Sequence, residues 1–337
     1  MARSRFLPDN FTLTLAGVVI AASLLPCRGD WARAFDAITN IAIGLLFFMH
    51  GAKLSREAIV AGITHWRLHL LVFACTFVMF PVLGVALRPV LQPLVTPELY
   101  IGILFLCALP ATVQSAIAFT SVARGNVAAA VCSASASSLI GIFLTPVLVG
   151  LLLAQHGAAV SPMLSLSAVR AIVLQLLLPF IAGQVARRWI GAWVQRHKTV
   201  LGTIDRSSIL LVVYTAFSDA VIQGLWQQIP LRALAGLLVV CAVLLALALT
   251  ITTVAARRLG FSKEDEITIV FCGSKKSLAS GIPMARVLFA NSAVGAVVLP
   301  LMLFHQLQLM VCAVLAQRYA ARAPHSAAAL ADAAPAE

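Results

Sequence analysis

Two adjacent lysines, Lys275 and Lys276, stand in the segment Phe271-Cys272-Gly273-Ser274-Lys275-Lys276-Ser277, with apolar runs on either side. A charged side chain near the middle of a membrane span costs at least about 3 kcal/mol and is by default a functional position. The chemistry open to such a pair is electrostatic. A fixed ammonium can attract an anion, stand in for a bound cation, or give up and regain a proton. A second polar interruption lies in Leu109-Pro110-Ala111-Thr112-Val113-Gln114-Ser115, where proline removes an amide donor inside another apolar run. The candidate binding residues are therefore Thr112, Gln114 and Ser115 at one interruption and Ser274, Lys275, Lys276 and Ser277 at the other. Ser133 and Ser135 lie on the following apolar run, and His305 on the last, with Gln306 and Gln308 beside it. Pro110, Gly273 and Pro283 are the expected helix breaks. A plain structural reading also fits several of these. Pro110 can be a simple kink, Gln114 and Ser115 can bond a neighbouring helix, and Ser133, Ser135, Ser137 and Ser138 can be a packing face. One lysine alone could snorkel to an interface.

These residues need spanning helices to hold them. Of 337 residues 61% are apolar and only 11% charged, against roughly 25% charged in soluble domains. That composition excludes a water-soluble protein and predicts an all-α integral membrane protein. The net charge of +12 would suggest nucleic acid in a soluble chain. Here the basic residues sit in short loops beside the apolar runs, so a lipid-facing role is expected and no nucleic-acid partner. The seven cysteines are scattered singly, which gives no disulfide framework and no metal site.

About 20 apolar residues are needed to cross the bilayer as helix. Ten stretches qualify, near 11–27, 34–52, 67–91, 99–123, 127–154, 163–186, 204–226, 231–256, 266–290 and 293–318. The first could instead be a signal peptide, since Arg3 and Arg5 precede it; a retained helix fits the charge pattern better. With the N-terminus inside, sixteen Lys and Arg residues fall on inner segments and six on outer ones, with Lys275 and Lys276 within the membrane. Positive residues mark the cytoplasmic side, so both termini are expected there, in a plasma (inner) membrane. The stretch Gln155–Pro162 divides the chain into 11–154 and 163–318, five spans each. An odd number per half inverts the second, as in many secondary transporters, where substrate and ion bind at matching broken helices. Spans four and nine are that pair here. The echo of Ala123-Arg124-Gly125-Asn126-Val127 in Phe289-Ala290-Asn291-Ser292-Ala293 is faint. The Ala/Pro-rich tail 323–337 reads as disordered.

These features together resemble the bile-acid/sodium symporter family over roughly residues 11–320. The landmarks are Leu109-Pro110 with its polar followers, Ala123–Val127, Leu144-Thr145-Pro146 and the segment around Gly273. The chain looks most like the SBF-like branch holding bacterial sodium-dependent transporters and the orphan seventh human member. It shares with that branch Phe47-Phe48-Met49-His50-Gly51, Val113-Gln114-Ser115 and Gly273–Ser277 followed by Pro283-Met284. The resemblance implies ten helices as two inverted repeats, with helices four and nine crossing at their breaks. It also implies a core of spans three to five and eight to ten moving against a panel of one, two, six and seven. Two sodium ions would bind behind the crossing. By position, the family's sodium-holding glutamate falls on Phe271 and its glutamine on Lys275. The span-five hydroxyls fall on Ala130 and Ala134, and the polar pair on Gln114–Ser115, where a sodium ion is still conceivable.

The residues themselves oppose sodium coupling. All twelve acidic residues lie in loops, termini or span ends, with Asp36 and Asp219 the nearest to the interior. A lysine about 4 Å from sodium would repel it by about 4 kcal/mol at an effective dielectric near 20. Lys275 or Lys276 is expected to supply the positive charge instead. The expected function is secondary-active transport of a small organic, anionic solute, with the bilayer as the other partner, no cofactor, and sodium at most. A membrane regulator or scaffold that keeps the fold without transport is the alternative; an enzyme is not supported, as no H-E-x-x-H, G-x-S-x-G or P-loop is present. Substrate identity and oligomeric state are not encoded legibly.

Overall fold

Apolar runs punctuated by proline and glycine give helices and nothing else among the described residues. The computed structural model describes residues 10–53, 65–154, 173–289 and 294–322. The helices are α1 (Asn10–Leu24), α2 (Asp30–Lys53), α3 (Trp66–Ala86), α4 (Pro97–Ala108), α5 (Gln114–Val122) and α6 (Val127–Ala154). After residues 155–172 come α7 (Leu178–Arg196, preceded by a π-turn at Val173–Leu177), α8 (Lys198–Ile222), α9 (Leu231–Arg258), α10 (Lys263–Gly273), α11 (Leu278–Leu288) and α12 (Val294–Ala320). Six of these, α2, α3, α6, α8, α9 and α12, are long and apolar enough to cross a bilayer.

The expected ninth and fourth spans are each two shorter helices in line: α4 and α5 are separated by Leu109–Val113, and α10 and α11 by Ser274–Ser277. Pro110 lies in the first interruption and Gly273 ends α10, but Pro283 is inside α11 rather than at a break. Its missing donor costs that helix one bond in its second turn, where the buried surroundings hold the helix together. The Gln155–Pro162 divide, the tail 323–337 and most of the faint 289–293 echo fall outside the described residues.

Packing follows small residues, as it must where lipid offers no hydrophobic drive for helices to associate. α2 and α7 run against each other through Gly51 and Gly183. A Cβ on Gly51 would stand 2.1 Å from the Phe180 carbonyl oxygen, and one on Gly183 would stand 1.9 Å from that of Phe48. α1 lies on α8, and α8 on α2. The other helices pack mainly among themselves: α4 on α12, α9 on α10 and α12, α5 on α6 and α10. Phe80 of α3 and Phe304 of α12 meet edge to face at 6.0 Å in their interior.

Ion pairs close the helix ends. Glu266 accepts hydrogen bonds from Arg257, Lys263 (2.7 Å) and Tyr319 (3.0 Å), tying α9, α10 and α12 together. Arg286 of α11 bonds both Asp36 of α2 and Asp219 of α8. These are the two carboxylates nearest the interior in sequence, and both are committed to that arginine.

Candidate functional site: two helix breaks at one cavity

The first break leaves four consecutive carbonyls without helical donors, because Pro110 has no N–H and α4 ends at Ala108. Every one is taken by a residue from elsewhere. Thr145 Oγ1 donates to Ala108 O at 2.9 Å, and Ser277 N donates to Pro110 O at 2.9 Å. Cys107 O and Leu109 O accept from Lys276 Nζ at 2.9 and 2.7 Å. The freed amide of Ala111 donates to Ser137 Oγ at 3.0 Å.

The third bond of the Lys276 ammonium goes to Thr76 O at 2.7 Å. That carbonyl is free for a reason visible in the sequence. α3 takes a π-turn at Cys75–Met79, so Phe80 N donates to Cys75 O. The next donor in that register is residue 81, which is proline. Lys276 thus spends its three N–H donors on three carbonyls, one each from α3, α4 and the first break, over the face of Phe80 at 4.2 Å. It is fully buried, and none of the carboxylates described above pairs with it.

Lys275 points another way. Its Nζ donates to Ser115 O at 3.0 Å and lies 3.9 Å from the Phe119 ring centroid and 5.3 Å from that of Phe271. Cation–π contact of this kind is worth about 2 kcal/mol when desolvated. Ser274 Oγ donates back to Val270 O at 2.6 Å and serves the end of α10.

The second break is clamped by Gln308 of α12. Lys276 N donates to Gln308 Oε1, and Gln308 Nε2 donates to Lys276 O, both at 2.9 Å. Ser277 caps α11, its Oγ accepting from Ser280 N at 3.2 Å.

Beside the two breaks lies a cavity of about 550 Å³, within the range that takes a small organic molecule. Thr112, Gln114, Ser115, Ser135, Ser277 and His305 line it, so six of the ten candidate binding residues come together there. Ser133, Ser274, Lys275 and Lys276 do not. Ser133 is buried behind, 2.6 Å from His69 Nδ1. The starts of α5 and α11 both open on the cavity, through Val113–Ser115 and Ser277–Ser280. Helix starts carry partial positive charge and unsatisfied N–H groups.

The facing wall comes from α2, α7 and α8 and adds His50, Lys53, Phe180, Asp205 and Arg206. Lys53 and Asp205 form an ion pair, while Asp205 Oδ1 is buried with no partner among the described residues. Arg206 is exposed, its guanidinium 5.9 Å from the Phe11 ring. Lys53, Asp205 and Arg206 leave the wall one positive charge in excess. In sequence Lys53 and Arg206 are charges at the inner ends of spans, and His50 is part of the Phe47–Gly51 motif. Nothing local marks them as cavity residues, because α2 and α8 meet the breaks only through tertiary packing.

Four of the positions that the resemblance assigns to sodium ligands carry no side-chain oxygen. Phe271 is fully buried against Phe119 and Tyr319, Lys275 fills its own position with a cation, and Ala130 and Ala134 offer no side-chain oxygen. No cluster of three or more His, Cys, Asp or Glu that could hold a metal occurs among the described residues.

A family model described as "SBF-like CPA transporter family" matches residues 9–321. "Uncharacterized protein PA2026" of Pseudomonas aeruginosa is 73% identical over 333 residues, covering 99% of each chain. "Putative symporter YfeH" of Escherichia coli is 61% identical over 311 residues, 92% of each chain. "Sodium/bile acid cotransporter 7" of Xenopus tropicalis is 30% identical over 320 residues, 92% of this chain and 91% of that one.

Proposed function

The chain belongs to the SBF-like CPA transporter family, and on that premise we propose that it is a secondary-active carrier of a small organic anion. It is a multi-pass membrane protein and not an enzyme. The observation that carries the reading is the convergence of two helix starts, α5 and α11, on one cavity with an excess of positive charge. Uncharged donors there (Gln114, Ser115 and Ser277) suit a carboxylate or sulfonate end, and the apolar wall of Phe47, Ile142, Phe180 and Ile209 suits an organic body.

The proposal includes ten membrane crossings as two inverted five-helix repeats, 11–154 and 163–318, in a plasma (inner) membrane with both termini cytoplasmic. The set α3–α6 with α9–α12 acts as a core and α1, α2, α7 and α8 as a panel. The solute lies between them. Arg286, bonded to Asp36 and Asp219, ties core to panel at one end, so its release accompanies opening there.

Lys276 takes the place of a coupling cation at the crossing. Three carbonyls around one ammonium make the kind of cage an alkali ion would occupy. The sodium in the names of some relatives is not carried over to that position.

The test is thermal stability of the purified full-length protein against a panel of organic carboxylates and sulfonates. A parallel series compares sodium, lithium, potassium and choline at fixed ionic strength. A ligand at about 100 times its Kd stabilises by about 2.7 kcal/mol. A saturable rise with particular anions, absent in Gln114→Ala, and equal melting in all four cations are expected. No response to any anion would remove the carrier reading, and a saturable sodium-specific rise would remove the fixed-ammonium reading.

A further inference from the structure

Gln308 holds the second break by a polarity that can be worked out atom by atom. The backbone N–H of Lys276 can only donate, so the Gln308 atom 2.9 Å from it must be the oxygen. The other atom is then the NH2 group, which bonds Lys276 O at 2.9 Å and approaches His305 Nδ1 at 2.8 Å. An amide NH2 only donates. His305 Nδ1 is therefore the acceptor, and the imidazole is neutral with its proton on Nε2. A second donor position is already set out: Nδ1 stands 3.4 Å from Lys276 O. A proton on Nδ1 would bond that carbonyl and place two donors face to face at 2.8 Å. Gln308 cannot turn its oxygen to Nδ1 without presenting NH2 to the Lys276 N–H.

We propose that His305 and Gln308 form a proton-operated latch on the second helix break, in which Gln308 clamps the Lys276 peptide only while His305 Nδ1 is unprotonated. His305 lines the cavity, so the proton reaches it from the same space as the solute. On its arrival Nδ1–H bonds Lys276 O, the Gln308 amide swings away, and Lys276 N–H loses its acceptor. The one covalent bond made is Nδ1–H, formed by the proton taken up from the cavity; every other change is an exchange of hydrogen bonds. His305 thus acts on the break through Gln308, which positions the Lys276 peptide directly.

The charged and titratable groups facing His305 across the cavity are His50 and Lys53 of α2 and Asp205 and Arg206 of α8. Lys276 lies directly behind, while α5 and α11 present only Gln114, Ser115, Ser277 and Ser280 among their polar side chains. The latch rests on the carrier reading only in taking this break to be a moving part.

The experiment uses the full-length protein in nanodiscs without any solute, so its outcome is separate from that of the anion screen. Nitrogen NMR of 15N-histidine-labelled protein, with His305 assigned through His305→Asn, reads the tautomer across a pH series. Hydrogen exchange of a peptide spanning Lys276 and Ser277, corrected for intrinsic rates, reads the clamp. The expected result is an Nε2-protonated neutral His305, with exchange at Lys276 rising about tenfold as Nδ1 gains its proton. That is the order of protection one hydrogen bond gives. In Gln308→Leu the tautomer preference disappears and exchange is already high; in His305→Asn it no longer changes with pH. Wild-type His305 carrying its neutral proton on Nδ1, or an acid-induced rise that persists in His305→Asn, would overturn the latch.

Discussion

The two helix breaks meet at one backbone hydrogen bond, Ser277 N to Pro110 O, yet they are built from opposite materials. The first, Leu109–Val113, is uncharged and made by proline; at it four carbonyls from Cys107 to Pro110 must find donors elsewhere in the chain. The second, Ser274–Ser277, has no proline; it exports donors, two ammonium groups directed at the first half of the chain. Lys276 fills the carbonyl cage left by Pro110 and Pro81, and Lys275 caps Ser115 O. The first break is thus completed by the second, and neither is satisfied alone. Burying an unpaired charge is expensive, and here carbonyls and aromatic faces take the place of a counter-ion.

Removing the exported cation tests this most severely. Lys276→Met strands three buried carbonyls, each costing about 1–3 kcal/mol, so a loss on the order of 5 kcal/mol is expected. Monodispersity and melting temperature of the detergent-solubilised variant would show it; a melting curve like the wild type's would mean that the cage holds nothing together. A Cβ at Gly141 would stand 2.6 Å from the Pro110 ring, which is fixed to the backbone and cannot step aside. Gly141→Ala is expected to cost about 3 kcal/mol, the upper part of the overpacking range. Lys275→Met removes one hydrogen bond and the cation–π contact while keeping the stem. A loss of about 2 kcal/mol is expected, clearly below that of Lys276→Met; equal losses would erase the distinction between the two lysines.

The smallest effects belong to the second break's own periphery. At Gly281 an added Cβ would meet the side-chain ends of Leu301 at 2.5 Å and Leu109 at 2.6 Å. Those ends can rotate away, so Gly281→Ala is expected to cost about 1 kcal/mol. Ser277→Ala loses the cap on Ser280 N, again about 1 kcal/mol, with Ser277 N still bonded to Pro110 O. Chemical denaturation would rank these against Gly141→Ala, and a reversed order would mean that the second break is the rigid partner.

Much of the site was legible one segment at a time. Pro110 announced an interruption, and two lysines in an apolar run announced a buried charge. Gln114, Ser115, Ser135, Ser277 and His305 were readable as polar groups on otherwise apolar helices. Their division was not readable: adjacent lysines look equivalent in sequence, but successive residues at the end of a helix point in different directions, one to α5 and one to α3 and α4. The role of Pro81 was also hidden, because a proline matters there only in a π-turn register. In sequence Gln308 is only a polar neighbour of His305.

Composition and hydropathy by themselves determined that the chain is helical and lies in a membrane, because apolar runs of that length partition into lipid and a helix satisfies every backbone group within the run there. They also determined where two of the helices must break. Tertiary structure alone decided what fills the breaks and what faces them. A carbonyl freed at residue 107 and an ammonium at residue 276 become partners only when the chain between them has packed. His50, Lys53, Asp205 and Arg206 likewise become cavity residues only because α2 and α8 share the cavity with the two breaks. Local sequence sets which polar groups a helix must leave over, and long-range packing settles who receives them.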